Sequence, residues 1–234
     1  MRLIIFLLSS FLLIPTSTTA FAQSKSGAEV AQAVLDHLGG SAPWAQAQSA
    51  RIMEVHISQW ARLPYTHEVW IDFTAPRVLV RIRNQDMRQL RAMNGDSGWW
   101  IRGGNLTDYE PDFLKDEFKR WRASPYRILH LMALQEPTLD YQMLDDRTLQ
   151  IALKGEPILR FALNENYQPI GFSKYNDNFE TLTMLEPLEE FGEVRLWKEA
   201  HLPDATQFRS LNLELELSPV PPAVSFSPPA DMER

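Results

Sequence analysis

The chain's five histidines, His37, His56, His67, His130 and His201, and its 30 carboxylates are the side chains able to hold a metal or move a proton. Glu54 and His56 stand two residues apart, so in a strand they share a face, and His67-Glu68 opens the next extended stretch. Pairing of the two strands would bring these groups together. Ligands at i and i+2 with an unspecified third are nevertheless a weak metal signature. The expectation is a solvated strand face, with no metal and no other cofactor. Asp145 and Asp146 are adjacent in a turn, with Asp140 just before them. Adjacent turn residues point in different directions, whereas paired glycosidase carboxylates face one cleft about 5–10 Å apart, so turn chemistry accounts for them. Glu186, Glu189, Glu190 and Glu193 surround Pro187 and Gly192 without the spacing of a calcium loop, and read as an exposed acidic loop.

Cysteine is absent, which removes thiolate catalysis, thiolate metal sites and disulfides together. No Gly-x-Ser-x-Gly elbow and no phosphate loop is present. The chain is expected not to be an enzyme. Five arginines, Arg77, Arg81, Arg83, Arg88 and Arg91, crowd one stretch. Alternation sets Arg81 and Arg83 on the face opposite Val78, Val80 and Ile82. They either pair with Glu68 and Asp72 of the preceding strand or contact an anionic headgroup or a partner. Cross-strand pairing is the more ordinary outcome.

The elements that must position these groups are mostly strands. Arg77–Asn84 and Met87–Met93 alternate, and Asn94-Gly95-Asp96-Ser97-Gly98 turns the chain into Trp99-Trp100-Ile101-Arg102, with Asn and Gly supplying the positive φ of a hairpin. Before them, Ser26 to Leu38 has the apolar spacing of a helix, stopped by Gly39-Gly40. Met53, Val55 and Ile57 mark a first strand, and Val69, Ile71 and Phe73 a second. Pro111 opens one helix and Ser124-Pro125 a second, more apolar one reaching Leu134. Strands then resume to Leu217, where Leu211, Leu213, Leu215 and Leu217 give the strongest two-residue period in the chain. About 11 strands with helices in two places make an α+β fold.

The ends differ from the middle. Arg2, an apolar run from Leu3 to Ile14 and Ala20-Phe21-Ala22 describe a signal peptide over residues 1–22, cleaved after Ala22. The run is too short to span a bilayer, which needs about 20 residues, so no transmembrane anchor is expected after cleavage. Residues 23–218 then form a single domain, and 219–234 a proline-rich tail. The chain carries 23 Lys and Arg against 30 Asp and Glu. That acidic balance, without a basic cluster, argues against nucleic acid. Several strands are apolar on both faces, as at Trp70-Ile71 and Leu79-Val80. One face would pack on helices, and the other would either line a second apolar space or belong to a plain two-layer core.

This order resembles the periplasmic lipoprotein carrier superfamily, the LolA/LolB-like fold. The resemblance rests on the signal peptide, the helix ending Leu38-Gly39-Gly40, Ala75-Pro76-Arg77-Val78-Leu79-Val80-Arg81, the Asn94-Gly95-Asp96 to Trp99-Trp100-Ile101 hairpin, and the helical insertion before a second set of strands. It implies an incomplete antiparallel barrel, a half-barrel wrapped around the helical insertion, whose concave face takes acyl chains under a helical lid. On that basis the expected function is a periplasmic carrier or binding protein for a lipid or a lipidated protein, with a periplasmic or membrane protein as a further partner. The alternative is an interaction or sensor module whose half-barrel is filled. Strand parity nominates Val55, Ile57, Val69, Ile71, Phe73, Val78, Val80, Ile82 and Trp100 as the lining, with Arg81 and Arg83 at the headgroup.

Overall fold

The computed structural model describes residues 25–175, 178–204 and 206–230; the expected signal peptide and cleavage site lie outside them. In chain order the elements are α1 (Gly27–His37), α2 (Ser41–Gln46), β1 (Ser49–Ser58), β2 (Tyr65–Asp72), β3 (Arg77–Arg83), β4 (Arg88–Asn94), β5 (Ser97–Arg102) and β6 (Asn105–Asp108). There follow α3 (Pro111–Arg122), α4 (Pro125–Ala133), β7 (Leu139–Asp145), β8 (Thr148–Leu153), β9 (Glu156–Leu163), β10 (Pro169–Lys174), β11 (Thr183–Phe191), β12 (Val194–His201) and β13 (Phe208–Ser218). The strands form one antiparallel sheet of 13 strands in the order β6-β5-β4-β3-β2-β1-β13-β12-β11-β10-β9-β8-β7. Among the described residues this is an open antiparallel sheet with four helices, two strands larger than expected. β6 was hard to read because four residues after a Gly103-Gly104 turn are too few to show a period.

Topology dictates where the helices go. β6 and β7 are consecutive in sequence but lie at opposite edges of the sheet, so α3 and α4 must carry the chain across its face. Both helices begin with a proline in the first turn, where a missing N–H costs nothing. α4 is the more buried of the two, and Ile128 and Leu129 are wholly enclosed. Among the hydrogen bonds that tie the helices to their surroundings, the Trp121 indole N–H donates to the Asp72 carbonyl at 2.7 Å, and His130 Nδ1 donates to the Trp44 carbonyl at 2.9 Å. α1 is closed at its start by a reciprocal Ser26–Glu29 capping box. At its end Gly39 takes φ +100°, and a Cβ there would stand 2.8 Å from the Val194 Cα, so only glycine lets the chain pass β12 this closely.

The core lies along one face of the sheet in two connected parts. Helices α1, α2 and α4 pack on β7 to β12, with Leu149, Ile151, Leu159 and Phe161 fully enclosed. Trp121 of α3 packs with Ile52, Ile71, Phe73 and Met93 over β1 to β4. A third apolar cluster lies on the other face, where Leu79, Ala92, Trp99 and Leu106 meet Phe226 of the C-terminal segment. Residues 219–230 of the proline-rich tail form no helix or strand, but they are anchored: Trp99 Nε1 donates to the Phe226 carbonyl at 2.8 Å, and Ser49 Oγ to the Val220 carbonyl at 2.7 Å. The two-sided apolar character of β2 and β3 is thus satisfied by helices on one side and by the tail on the other.

Two strand readings change. β13 does not alternate throughout: its pairing with β1 slips at a bulge, where Met53 faces Glu214 and Glu54 faces Asn212, leaving Leu213 unpaired. Leu215 and Leu217 therefore face the helices, Leu213 is exposed, and Asn212 and Ser210 take the inward positions nearer the start of β13. Glu186, Glu189 and Glu190 form no loop. They are exposed residues of β11, and the turn is confined to Gly192 and its neighbour.

Candidate functional site

Where the sheet bends around β1 and β13, the helices do not fill it. A cavity of about 300 Å³ lies between β1–β3, β10–β13 and the α3–α4 junction. Register explains its lining. Antiparallel partners share a face, and Ile52 pairs with Val69, Val69 with Val80, and Ile71 with Val78. These five side chains make one wall; Phe172, Trp197 and Phe208 make the facing wall, and Trp121, Pro125 and Tyr126 form the roof. The volume falls at the lower end of the range for small-molecule sites, about 300–1,000 Å³.

Of the residues nominated by parity, Val69, Ile71, Val78 and Val80 line this cavity. Ile82 shares their face, pairing with His67, but is not part of the lining. Trp100 also lies on that face through its pairing with Arg91, where its ring stacks on Phe113 of α3 at 5.6 Å. Phe73 is a core residue stacked on His130. Val55 and Ile57 point the other way. The inward positions of β1 are Ala50, Ile52, Glu54 and His56, so the parity assigned to this strand was inverted. Val55 instead lines an outer hollow with Leu63, Pro64 and Thr66, and Ile57 is exposed.

Arg81 is on the outer face, bonded to Glu68 at 3.0 Å with its guanidinium 4.8 Å from the Trp70 ring. Glu68 also holds Arg51 at 2.7 Å, while Asp72 is taken by Arg77 rather than by Arg83. Arg83 is exposed at the end of β3. Neither Arg81 nor Arg83 reaches the cavity. The arginines that do are Arg91 of β4 and Arg120 of α3, which the parity argument missed, and both bond to the buried Glu117 carboxylate, at 3.3 and 2.5 Å. The inward direction of Arg91 is set by the register of β4 with β3, which pairs it with Val80.

The polar end of the cavity is Glu54, His56 and His67. One carboxylate oxygen, Glu54 Oε2, lies 2.8 Å from His56 Nε2 and 3.2 Å from His67 Nδ1, and the two imidazoles stack with centroids 4.3 Å apart. His56 is 8% exposed, which corrects the expectation of a solvated strand face. Burial alone would raise the Glu54 carboxyl, but the hydrogen bonds and charge of the two histidines outweigh it and hold the group far below the usual range. Burial pushes the His67 imidazole down, partly offset by its bond to Glu54. Tyr126, above them, has its phenol raised well beyond the ordinary value by burial and by the Glu54 charge. Across β13, Ser210 pairs with His56 and Asn212 with Glu54. Ser210 Oγ and Asn212 Oδ1 are buried and without a hydrogen-bond partner, although Asn212 Nδ2 donates to the Trp197 carbonyl at 2.7 Å.

Comparison with solved structures finds 40 similar chains, two of them as follows. A DUF1329 family protein from Desulfovibrio piger matches with a TM-score of 0.48 and 10% identity, covering 82% of this chain and 94% of that one. A domain from Vibrio parahaemolyticus, provisionally assigned to outer membrane lipoprotein sorting, matches with a TM-score of 0.40 and 10% identity, covering 82% of this chain and 92% of that one. No protein-family model and no curated protein matches the chain. No helix among the described residues is long and apolar enough to cross a membrane.

Proposed function

We propose that this protein is an extracytoplasmic carrier or binding protein for an amphiphile, whose apolar chain occupies the cavity between the bent sheet and the α3–α4 junction. The observation that supports this reading is the apolar wall of Ile52, Val69, Ile71, Val78 and Val80, which lines the cavity while Trp121 of α3 packs against part of it. Each methylene moved from water onto such a wall gains about 0.8 kcal/mol, so about eight methylenes supply roughly 6 kcal/mol before the costs of association are met. No catalytic group is needed, and none is assigned. Arg91, Arg120, Glu117 and Lys174 line the cavity as well, giving a polar margin for the amphiphile's head.

The test is native mass spectrometry of protein purified without detergent, followed by titration with a fluorescent fatty acid. The expected result is a copurified acyl species or saturable binding, weakened tenfold or more by Val80→Glu in a variant that keeps its strand spectrum. A bare mass together with no uptake of the probe overturns the reading. That outcome would favour an interaction module with a filled half-barrel, a reading supported by the solid packing of α1 and α4 over β7 to β12.

A further inference from the structure

We propose that Glu54, His56 and His67 form a binding site for a divalent transition metal, zinc being the natural occupant, at the polar end of the cavity. The three offer one carboxylate oxygen and two imidazole nitrogens, all within 4.8 Å of one another. Zinc binds such donors at about 2.0–2.2 Å, and tetrahedral angles then place neighbouring donors about 3.4 Å apart. The two Glu54–histidine separations, 2.8 and 3.2 Å, are a little shorter because hydrogen bonds hold them. Metal binding requires the two stacked imidazoles to turn toward a common point, with each metal-facing nitrogen giving up its proton while the other ring nitrogen carries one, which converts a hydrogen-bonded trio into a chelating one. Thiolates are absent from the chain, so the donor set is borderline-hard, as zinc accepts.

A second observation points to the same place. Ser210 and Asn212 occupy the β13 positions directly opposite His56 and Glu54 on the shared face. They are 4% and 1% exposed, yet Ser210 Oγ and Asn212 Oδ1 find no donor, the Asn212 side chain otherwise engaging the Trp197 carbonyl and the Tyr126 phenol. Buried polar atoms in native proteins ordinarily have partners, and an orphan requires a reason. A three-ligand zinc keeps a fourth position for water, which carries two protons to donate. Both orphan oxygens are able to accept them. The nearby cationic groups do not compete for the carboxylate, because Arg91 and Arg120 are engaged by Glu117.

The experiment uses untagged full-length protein stripped with a chelator, titrated with zinc chloride near pH 7.5 by calorimetry, with X-ray absorption on the loaded sample. Expected is one zinc per chain, with two imidazole nitrogens and oxygen donors at about 2.0–2.2 Å. Affinity should fall at least a hundredfold in His56→Gln/His67→Gln and stay unchanged in His37→Ala/His201→Ala, which removes two histidines outside the cavity. Circular dichroism checks both variants. If the first does not fold, absorption on the wild-type chain and titration of the second decide. No zinc uptake by the wild type, a spectrum without two imidazoles, retention by a folded His56/His67 variant, or loss in the His37/His201 variant would each overturn the proposal.

Discussion

At the scale of single residues, His130 shows how burial sets a side chain's chemistry. It is 5% exposed, stacked on Phe73, and bonded through Nδ1 to the Trp44 carbonyl. Burial pushes its imidazole below the ordinary value, with the Trp44 carbonyl pulling the other way and Arg127 adding to the depression. The unfolded chain therefore takes up the proton first as pH falls through about 6.5. Stability from this group is complete above that value and is lost as pH falls toward the folded group's lower pKa. The expected outcome is that urea-unfolding free energy of the wild type falls between pH 7.5 and 5.5 more steeply than that of His130→Gln. The difference in slope should be at most about 1.4 kcal/mol per pH unit, the limit for one proton. Equal slopes would show that His130 does not titrate with folding. Its partner was not legible in the sequence, because Trp44 lies 86 positions away. The Glu54–His56–His67 trio was legible as a spacing, but its burial was hidden: β1 is apolar at Met53, Val55 and Ile57 on the side away from the cavity. A strand that turns polar groups into a cavity and apolar ones outward reads inside out.

At the scale of elements, β13 makes the most instructive case. Its leucines alternate without a break in sequence, but the bulge beside Glu54 exchanges inside for outside halfway along. Leu213→Lys is therefore expected to change stability by less than about 0.5 kcal/mol. Leu215→Lys, placed against both core clusters, should cost about 2 kcal/mol or more. Denaturant unfolding of the two variants side by side checks this, and equal costs would mean that the bulge is absent in solution. Helices were easier to read than strands. The Ser26 cap, the two first-turn prolines and the Gly39-Gly40 stop are local signals, and each lies at or beside the corresponding helix end. A bulge depends on the neighbouring strand and leaves no comparable mark.

For the whole molecule, the outer face is completed by a segment without regular structure. Phe226 inserts among Leu79, Ala92, Trp99 and Leu106, and the Trp99 indole bonds to its carbonyl. Phe226→Ala is expected to cost about 3 kcal/mol, the lower end for a buried phenylalanine because this cluster lies near the surface. Thermal unfolding and binding of an apolar dye report the loss together: a lower midpoint and new dye uptake are expected. An unchanged midpoint would show that the tail does not seal this face. The prolines of the tail suggested an irregular path, which residues 219–230 follow, and the two apolar faces of β2 and β3 signalled that something must cover each. Which segment covers which face depends on the sheet's curvature and order, and no local pattern contains that.

The pairing of β1 with β13 has a consequence for synthesis. The first strand made ends up in the centre of the sheet, yet one of its hydrogen-bonding edges belongs to the last strand made. A growing chain must keep that edge bare until some 150 further residues have been added. The protein cannot finish its middle until its end arrives, and for that interval it is open to any holding factor, or any stray strand, that reaches the edge first.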